Sequence, residues 1–139
     1  MTAASMIVQR RVEWSDTDAS GIHHNTFIVR LAEAAEHALW RRLGLQDNEA
    51  RVPRVRIEVD FLRPLRSGQS VEGEISVEAV GRSSITFRFE ARADGEKVAE
   101  ARIVGALVSS ETWRPTPWPD GAREILLGAG PQRPERFTD

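Results

Sequence analysis

Apolar and polar residues alternate near the start of the chain. Every second position of residues 6–14 lies on one predicted face: Met6, Val8, Arg10, Val12 and Trp14. Such alternation is typical of a β-strand with one buried face. The pattern therefore predicts a strand over residues 6–14, followed by a polar loop over residues 15–21.

One long helix is predicted after this loop. Apolar residues recur there at spacings of three or four, on one stripe of a helix: Ile28, Leu31, Ala32, Ala35, Leu39 and Leu43. Asn25 or Thr26 is suited to cap the helix start, and Gly44 is suited to end it in a left-handed conformation. Arg41 and Arg42 fall in the last turn, where positive charge complements the helix dipole.

Four more alternating segments predict four further strands. They cover residues 54–61, 71–79, 85–92 and 98–108. The last is apolar on nearly every position from Ile103 onward, which indicates cover on both faces. The connections are short, with a hairpin signal at Asp94-Gly95, and short connections imply antiparallel neighbours. We therefore expect an α+β fold, with a five-stranded antiparallel sheet covered by one long helix.

One helix leaves part of the predicted sheet uncovered. It cannot cover five strands, so a second copy of the chain is expected to bury the remaining apolar surface.

The C-terminal segment is rich in proline. Five of the seven prolines lie after residue 110, which predicts one domain over residues 1–110 and an extended tail over 111–139. A short turn is expected in the tail at residues 122–127.

Composition removes several classes of function. The chain has 139 residues, no cysteine and a net charge of -2, which excludes disulfides and thiolate metal sites and does not favour nucleic acid. It contains no apolar run of membrane-spanning length, and its N-terminus lacks the pattern of a secretory signal. A cytoplasmic location without membrane attachment is expected.

The densest group of reactive side chains lies between the first strand and the helix, at residues 16–25. Backbone N–H groups at a helix start form a binding site for an anion or a developing oxyanion. A carboxylate beside them, Asp16 or Asp18, is suited to act as nucleophile or general base. Gly21 would let a substrate approach the backbone closely.

Structural readings compete with these chemical ones. Asp16 is suited to form a turn, and Glu33 is suited to a solvent-facing or hydrogen-bonded position on the helix. The two aspartates and two adjacent histidines lack further ligands at useful spacing, so no metal site is expected. Ser20 lacks the sequence setting of a serine nucleophile.

The sequence Asp-Thr-Asp-Ala-Ser-Gly at residues 16–21, with Glu33 twelve residues after the glycine, resembles the 4-hydroxybenzoyl-CoA thioesterase family of hotdog-fold proteins. Residues 54–65, followed by Gly68, resemble the second strand and turn of that family. Residues 81–84 resemble a later hairpin. The resemblance covers residues 6–110.

The resemblance implies a sheet wrapped around one helix, homodimers or homotetramers, and active sites at the dimer interface. Asp18 matches the catalytic carboxylate, Gly21 the motif glycine, and Asn25 the residue whose backbone N–H polarises the thioester carbonyl. Further wall is expected from the strand of a partner chain. The expected substrate-binding residues are His24, Arg54, Val55, Arg82 and Ser83, with Arg82 near the phosphates of coenzyme A.

The expected function is hydrolysis of an acyl-CoA or acyl-carrier-protein thioester, with no cofactor and no metal. Asp18 would either attack the carbonyl carbon or activate water, and the residues leave both routes open. One alternative is a hotdog-fold hydratase or dehydratase that pairs His23 or His24 with Glu33. Another is a non-catalytic acyl-CoA-binding protein.

Overall fold

A computed structural model describes residues 2–49, 51–132 and 134–136. Within them the chain forms three helices and six strands, in the order β1 Ser5–Arg11, α1 Thr26–Arg42, α2 Gln46–Glu49, β2 Arg54–Phe61, β3 Ser70–Val80, β4 Ser84–Ala93, β5 Glu96–Ala106, α3 Ala122–Gly128 and β6 Glu135–Arg136. A 3₁₀ turn, Trp14–Asp16, follows β1.

The strands form one sheet in the order β2-β5-β4-β3-β1-β6. Neighbours are antiparallel except β6, which runs parallel to β1 beside Val8 and Gln9. The α+β class is as expected, but the sheet has six strands rather than five. A two-residue strand is too short to produce a detectable alternation, which is why the sequence pattern missed it.

Helix α1 packs on the β1 and β3 side of the sheet. It passes so close to β3 that a Cβ on Gly73 would lie 2.8 Å from the Phe89 ring and 3.1 Å from Leu31. The 17-residue helix is short relative to the sheet, and its buried stripe forms the core with strand residues. The largest fully buried side chains include Trp40, Phe27, Phe87, Phe89, Ile28, Leu31, Leu39, Ile75 and Ile85.

The first strand is shorter than the alternation predicts. It ends at Arg11, and Trp14 is 80% exposed in the 3₁₀ turn rather than buried on the strand. The turn is held by the Asp16 carboxylate, whose Oδ2 accepts the Glu13 N–H at 2.8 Å. A local side-chain bond to the backbone thus ends the strand early.

The two ends of α1 differ in how well the sequence predicted them. Asn25 occupies the N-cap position but makes no capping bond through its side chain. Instead, the Thr26 N–H donates to Nδ1 of His24 at 3.2 Å. Gly44 follows the last turn with φ of +70°, as predicted for a left-handed stop.

The segment after residue 110 is more ordered than an extended tail. Its Trp118 stacks on Trp40 with ring centroids 6.1 Å apart, and Leu126 of α3 is fully buried. Arg42 donates hydrogen bonds to the carbonyl oxygens of Ser5, Ala129 and Gly130, which ties the end of α1 to this segment. The domain boundary at residue 110 stays a prediction, and residues 133 and 137–139 of the tail lie outside the described part.

Strand β2 forms the other edge of the sheet, and its apolar residues are poorly covered. Val55 is 64% exposed and Phe61 48% exposed, although the alternation predicts a buried face. Between β2 and α1 lies a narrow chamber of about 10 Å³ that includes Ile57 and Glu33 in its wall. Among the residues described, no helix has the length and apolar character that crossing a membrane demands.

Candidate active site

A compact loop between β1 and α1 carries the motif residues. The Asp18 N–H donates to the Ile22 carbonyl oxygen at 2.9 Å, and a bridge pairs Thr17 with His23. Inside this closure the Gly21 N–H donates to the Asp18 carbonyl oxygen at 3.0 Å. Gly21 has φ of +81°, a left-handed conformation that a side chain would strain. The glycine therefore fixes the shape of the loop.

Asp18 is exposed, with its two carboxylate oxygens in different surroundings. Oδ1 accepts hydrogen bonds from the Ser20 hydroxyl and, at 2.8 Å, from the Ser20 N–H. Oδ2 has no hydrogen-bond partner among residues 2–49, 51–132 and 134–136. Hydrogen bonding by Ser20, first from its hydroxyl and then from its N–H, holds the pKa of Asp18 below its ordinary value. The carboxylate is therefore ionised at neutral pH, with one oxygen free to react.

Asn25 supplies a free backbone donor at the start of α1. Its neighbours use their N–H groups, His24 toward the Asp16 carbonyl oxygen at 2.7 Å and Phe27 toward the His24 carbonyl oxygen at 2.9 Å. The Asn25 N–H has no acceptor within the described ranges. An unpaired N–H at the positive end of a helix is suited to stabilise an oxyanion.

These groups open on one cleft of about 530 Å³. The loop and the helix start form one wall, and the chain that leaves β2 forms the other. The lining residues are Asp18, Ile22, His23, His24, Asn25, Phe61, Leu62, Arg63 and Pro64. The predicted Asp18, His24 and Asn25 are thus brought together, with Gly21 shaping the loop beneath them.

Asp16 is buried and lies outside that lining. Its Oδ2 binds the Glu13 N–H, and its Oδ1 accepts from Nη2 of Arg30 at 3.1 Å. Both carboxylate oxygens therefore serve the 3₁₀ turn and the start of α1. This arrangement supports the turn-forming role for Asp16.

The remaining predicted site residues lie at the opposite end of β2. Arg54 pairs with Gly105, whereas Phe61 pairs with Ala99, so the two ends of the strand are about 23 Å apart. Ser84 pairs with Ala106, which places the Arg82–Ser83 turn at the Arg54 end. Within one chain, Arg54, Val55, Arg82 and Ser83 are therefore remote from Asp18.

Arg54 is engaged within its own chain. Its guanidinium makes an ion pair with Glu36, a helix residue that is 1% exposed. Glu36 also accepts a hydrogen bond from Nε1 of Trp40 at 3.3 Å. The pair joins β2 to the middle of α1.

The histidine and glutamate of the hydratase alternative are not brought together. Glu33 lines the chamber between α1 and β2, whereas His23 and His24 line the cleft. Nδ1 of His23 accepts the Leu65 N–H at 3.0 Å, and Nδ1 of His24 lies 2.9 Å from the Thr26 hydroxyl oxygen. The structure gives no support to a His–Glu catalytic pair.

Two contributions to the cleft were not predicted from the sequence. Ser20 is the partner that orients Asp18, and its spacing of two residues is typical of an aspartate that bonds its own turn. The wall from Phe61 to Pro64 is about 40 positions away along the chain, and no local pattern connects it to the loop.

The sequence matches a family profile and is similar to named proteins. The profile of the thioesterase-like superfamily matches residues 12–126. A 1,4-dihydroxy-2-naphthoyl-CoA hydrolase from Synechococcus elongatus is 25% identical over 125 residues, which cover 85% of this chain and 92% of that protein.

Two solved structures superpose closely. A predicted thioesterase from Bacillus stearothermophilus has a TM-score of 0.81 and 29% identity, over 88% of this chain and 93% of that one. A thioesterase from Thermus thermophilus, complexed with coenzyme A and Zn, has a TM-score of 0.79 and 28% identity, over 86% and 90% of the two chains.

A sheet packed on a central helix, with a carboxylate loop entering that helix, defines a hydrolase of the hotdog-fold class. The chain belongs to the thioesterase-like superfamily, and it is a thioesterase. The family resemblance noted in the sequence is thereby confirmed.

Proposed function

We propose that this thioesterase hydrolyses acyl-CoA thioesters at the cleft beside Asp18. The observation that carries the proposal is the pairing of a free carboxylate oxygen, Asp18 Oδ2, with a free helix-start N–H at Asn25 in one cleft. Thioester hydrolysis requires these two elements, a nucleophile or base and a donor for the oxyanion. The coenzyme A complex of the Thermus thermophilus protein and the name of the Synechococcus elongatus relative support coenzyme A as the carrier.

Two routes are consistent with this arrangement. In the first, Oδ2 bonds to the carbonyl carbon, the C–S bond breaks, coenzyme A leaves as the thiolate, and water then hydrolyses the anhydride. In the second, Asp18 takes a proton from water, whose oxygen bonds to the same carbon; the C–S bond then breaks and coenzyme A leaves as the thiol with that proton. Label found on Asp18 after a single turnover in ¹⁸O-water would establish the first route, because only attack of water on the Asp18 carbon of the anhydride places it there.

The complete site is proposed to need two chains. Antiparallel pairing of two β2 edges would place the start of one strand beside the end of the other. The partner's Arg82 would then lie beside the cleft of the first chain, where its guanidinium would meet the phosphates of coenzyme A. The same pairing would cover Val55 and Phe61, the exposed apolar residues of that edge.

The acyl group is proposed to extend from the cleft toward the chamber between α1 and β2, which holds about one water as it stands and would have to widen to admit the group. Ile28, Ala32, Ile57 and Ile103 contribute apolar wall there, which suits a hydrocarbon or aromatic acyl group. Glu33 is the acidic residue in the wall and would contact any polar substituent on that group.

A panel of acyl-CoA and acyl-carrier-protein thioesters, followed by release of free thiol, tests the proposed function. With the best substrate, Asp18→Asn is expected to reduce kcat by about 10² to 10⁴-fold and leave the melting temperature unchanged. The substitution preserves shape but removes the charge that attacks carbon or accepts a proton.

Asp16→Asn is the matched control, because it makes the same chemical change two residues away. It is expected to keep kcat near the parent value and lower the melting temperature, since one donor to Asp16 loses its acceptor. Hydrolysis by Asp18→Asn at the parent rate would refute the catalytic assignment. The absence of thiol release from the whole panel by the parent protein would refute the proposed function.

A further inference from the structure

His23 is a buried titratable residue that the mechanism above does not use. It is 7% exposed, and its ring lies between two phenylalanines. The ring centroid is 6.3 Å from that of Phe27, in an edge-on arrangement, and 6.1 Å from that of Phe61. Aromatic packing on both sides fixes the plane of the imidazole.

Hydrogen bonds to Leu65 fix the direction of the ring. The His23 N–H donates to the Leu65 carbonyl oxygen at 2.8 Å, and the Leu65 N–H donates back to Nδ1 at 3.0 Å. A nitrogen that accepts an amide hydrogen carries no proton, so the proton of the neutral ring lies on Nε2. Leu65 therefore selects one tautomer.

The neutral form is favoured at neutral pH. Burial lowers the pKa of His23 below its ordinary value, and the backbone of Leu65 and the charge of Asp18 act in the opposite direction without reversing the shift. A neutral ring has a chemical advantage at this position. An imidazolium would pair with the Asp18 carboxylate and reduce its reactivity, whereas a neutral N–H donor does not.

Nε2 is the ring nitrogen of His23 that the Leu65 N–H leaves unoccupied. His23 contributes to the cleft wall together with Asp18 and Asn25. Its Nε2 has no hydrogen-bond partner in residues 2–49, 51–132 and 134–136. In those residues, Nε of Arg54 is the one side-chain nitrogen or oxygen that is both buried from solvent and without a hydrogen-bond partner. Nε2 of His23 has no partner either, so it is accessible to solvent. The donor is thus available to a ligand.

The loop brings this donor to the reacting end of the cleft. Asp18 and His23 lie on the two arms of the loop that is closed by the bond from the Asp18 N–H to the Ile22 carbonyl oxygen. Asn25 follows His23 by two residues and lines the same cleft. A carbonyl carbon within reach of Asp18 would therefore hold its oxygen near both donors.

We infer that His23 donates Nε2–H to the thioester carbonyl oxygen as a second oxyanion donor beside the Asn25 N–H. The inference rests on the proposed function and adds one substrate-contacting residue to it. The proton stays on Nε2 throughout, so His23 takes part as a dipole and not as an acid or base. Negative charge that develops on the carbonyl oxygen is then shared between a backbone and a side-chain donor.

Two substitutions separate the donor from the packing role. In His23→Asn, Oδ1 can accept the Leu65 N–H as Nδ1 does, but the shorter side chain does not reach the cleft. In His23→Gln, the longer side chain can place an N–H near the position of Nε2, but it no longer satisfies Leu65. One variant keeps the structural contact, and the other keeps the cleft donor.

We expect His23→Asn to stay folded but to melt at a lower temperature, because the ring no longer packs against Phe27 and Phe61. KM should stay at the parent value, whereas kcat should fall about 10²- to 10³-fold, as for removal of one oxyanion donor. We expect His23→Gln to melt at a lower temperature but to keep kcat within about tenfold of the parent. His37→Asn, at an exposed histidine in the middle of α1, is the control for a His→Asn change and should keep the parent kcat.

Parent-like kcat in His23→Asn would overturn the inference and leave His23 a packing residue. Equal loss of kcat in folded Asn and Gln variants would also overturn it, because the cleft donor would then not rescue the reaction. Either result is distinguishable from failure of the proposed function, since the parent protein would still release thiol from its substrate.

Discussion

At the scale of single residues, the proposed chemistry depends on the different surroundings of the two carboxylate oxygens of Asp18. Ser20 occupies Oδ1 with two hydrogen bonds, which leaves Oδ2 free in the cleft. The same two bonds stabilise the charged form, because they donate to a carboxylate and have no acceptor for its proton. Ser20 therefore both aims the carboxylate and keeps it ionised.

The role of Ser20 leads to a prediction about pH. Because its hydroxyl is the largest cause of the lowered pKa of Asp18, Ser20→Ala should raise that pKa. Asp18 acts in its ionised form, so activity falls as pH decreases through its pKa. The acid limb of kcat/KM should therefore move to higher pH in Ser20→Ala, with little change at pH 7.

Profiles of kcat/KM for the parent and the variant, measured from acid to neutral pH, check this prediction. Ser15→Ala, on the neighbouring 3₁₀ turn, is the control and should leave the limb in place. An acid limb at the same pH in parent and Ser20→Ala would show that the hydroxyl does not tune Asp18.

Site residues that lie close together along the chain could be predicted from the sequence, whereas contacts between distant residues could not. Asp18, Gly21 and Asn25 lie within eight positions, so a short motif was enough to place them in one loop. Ser20 lies in the same motif but was considered only as a nucleophile. His23 was paired with Glu33 in one alternative, and the bond from Leu65 that fixes its ring joins residues 42 positions apart. Such a contact has no local signature.

At the scale of elements, the ion pair between Glu36 of α1 and Arg54 of β2 links the helix to the edge strand. Glu36 is almost fully buried in the middle of the helix, and the half-buried Arg54 at the start of β2 is its ion-pair partner. A buried carboxylate that loses its cation remains desolvated without compensation. This pair holds the first residue of an edge strand against the helix.

Arg54→Met should therefore destabilise the fold by about 3 kcal/mol, because it removes the guanidinium from the buried Glu36 carboxylate. Glu36→Gln removes that charge and keeps an acceptor for Nε1 of Trp40, so the double variant should recover most of the loss. Urea unfolding at one fixed protein concentration gives the four free energies of this cycle. Equal stability of Arg54→Met and the double variant would contradict the predicted coupling.

Most elements could be predicted from periodicity, and the exceptions have physical causes. The 17 residues of α1 and the strands β2 to β5 carry strong patterns, and the short hairpins set their antiparallel order. β1 ends early at Arg11 because the Asp16 carboxylate binds the Glu13 N–H. α3 lies where a short turn was expected at residues 122–127, and β6 was missed. The proline content suggested an extended tail, whereas Trp118 and Leu126 anchor this segment in the core.

At the scale of the whole molecule, the two groups of predicted site residues lie at opposite ends of β2. Asp18 belongs to the Phe61 end, and Arg82 belongs to the Arg54 end. A substrate could meet both groups only across two chains whose β2 strands run antiparallel. The proposed homodimer would thus serve catalysis as well as the burial of Val55 and Phe61.

Complementation between two inactive or weakened variants tests this arrangement. Asp18→Asn should lose kcat, and Arg82→Ala should raise KM about fivefold through loss of one exposed phosphate contact. A mixed dimer would combine the intact Asp18 of one chain with the intact Arg82 of the other. Co-refolded at equal amounts, the two variants should regain parent-like KM in about one quarter of all sites.

Light scattering on the parent protein supplies the accompanying control and should give at least twice the mass of one chain. Fully active single chains, or a mixture whose KM stays that of Arg82→Ala, would contradict a site built from two chains.

The two-residue strand β6 affects how many edges of the sheet can add another chain, as the number of reactive ends does in a polymer. A unit with two reactive ends grows into a chain, whereas a unit with one reactive end stops at a pair. By lying along β1, Glu135 and Arg136 narrow the open edge at one end of the sheet, so β2 is the long open edge strand of the residues described. Sheet extension is then close to monofunctional, and a fragment of the chain outside the cleft lining limits growth into ribbons.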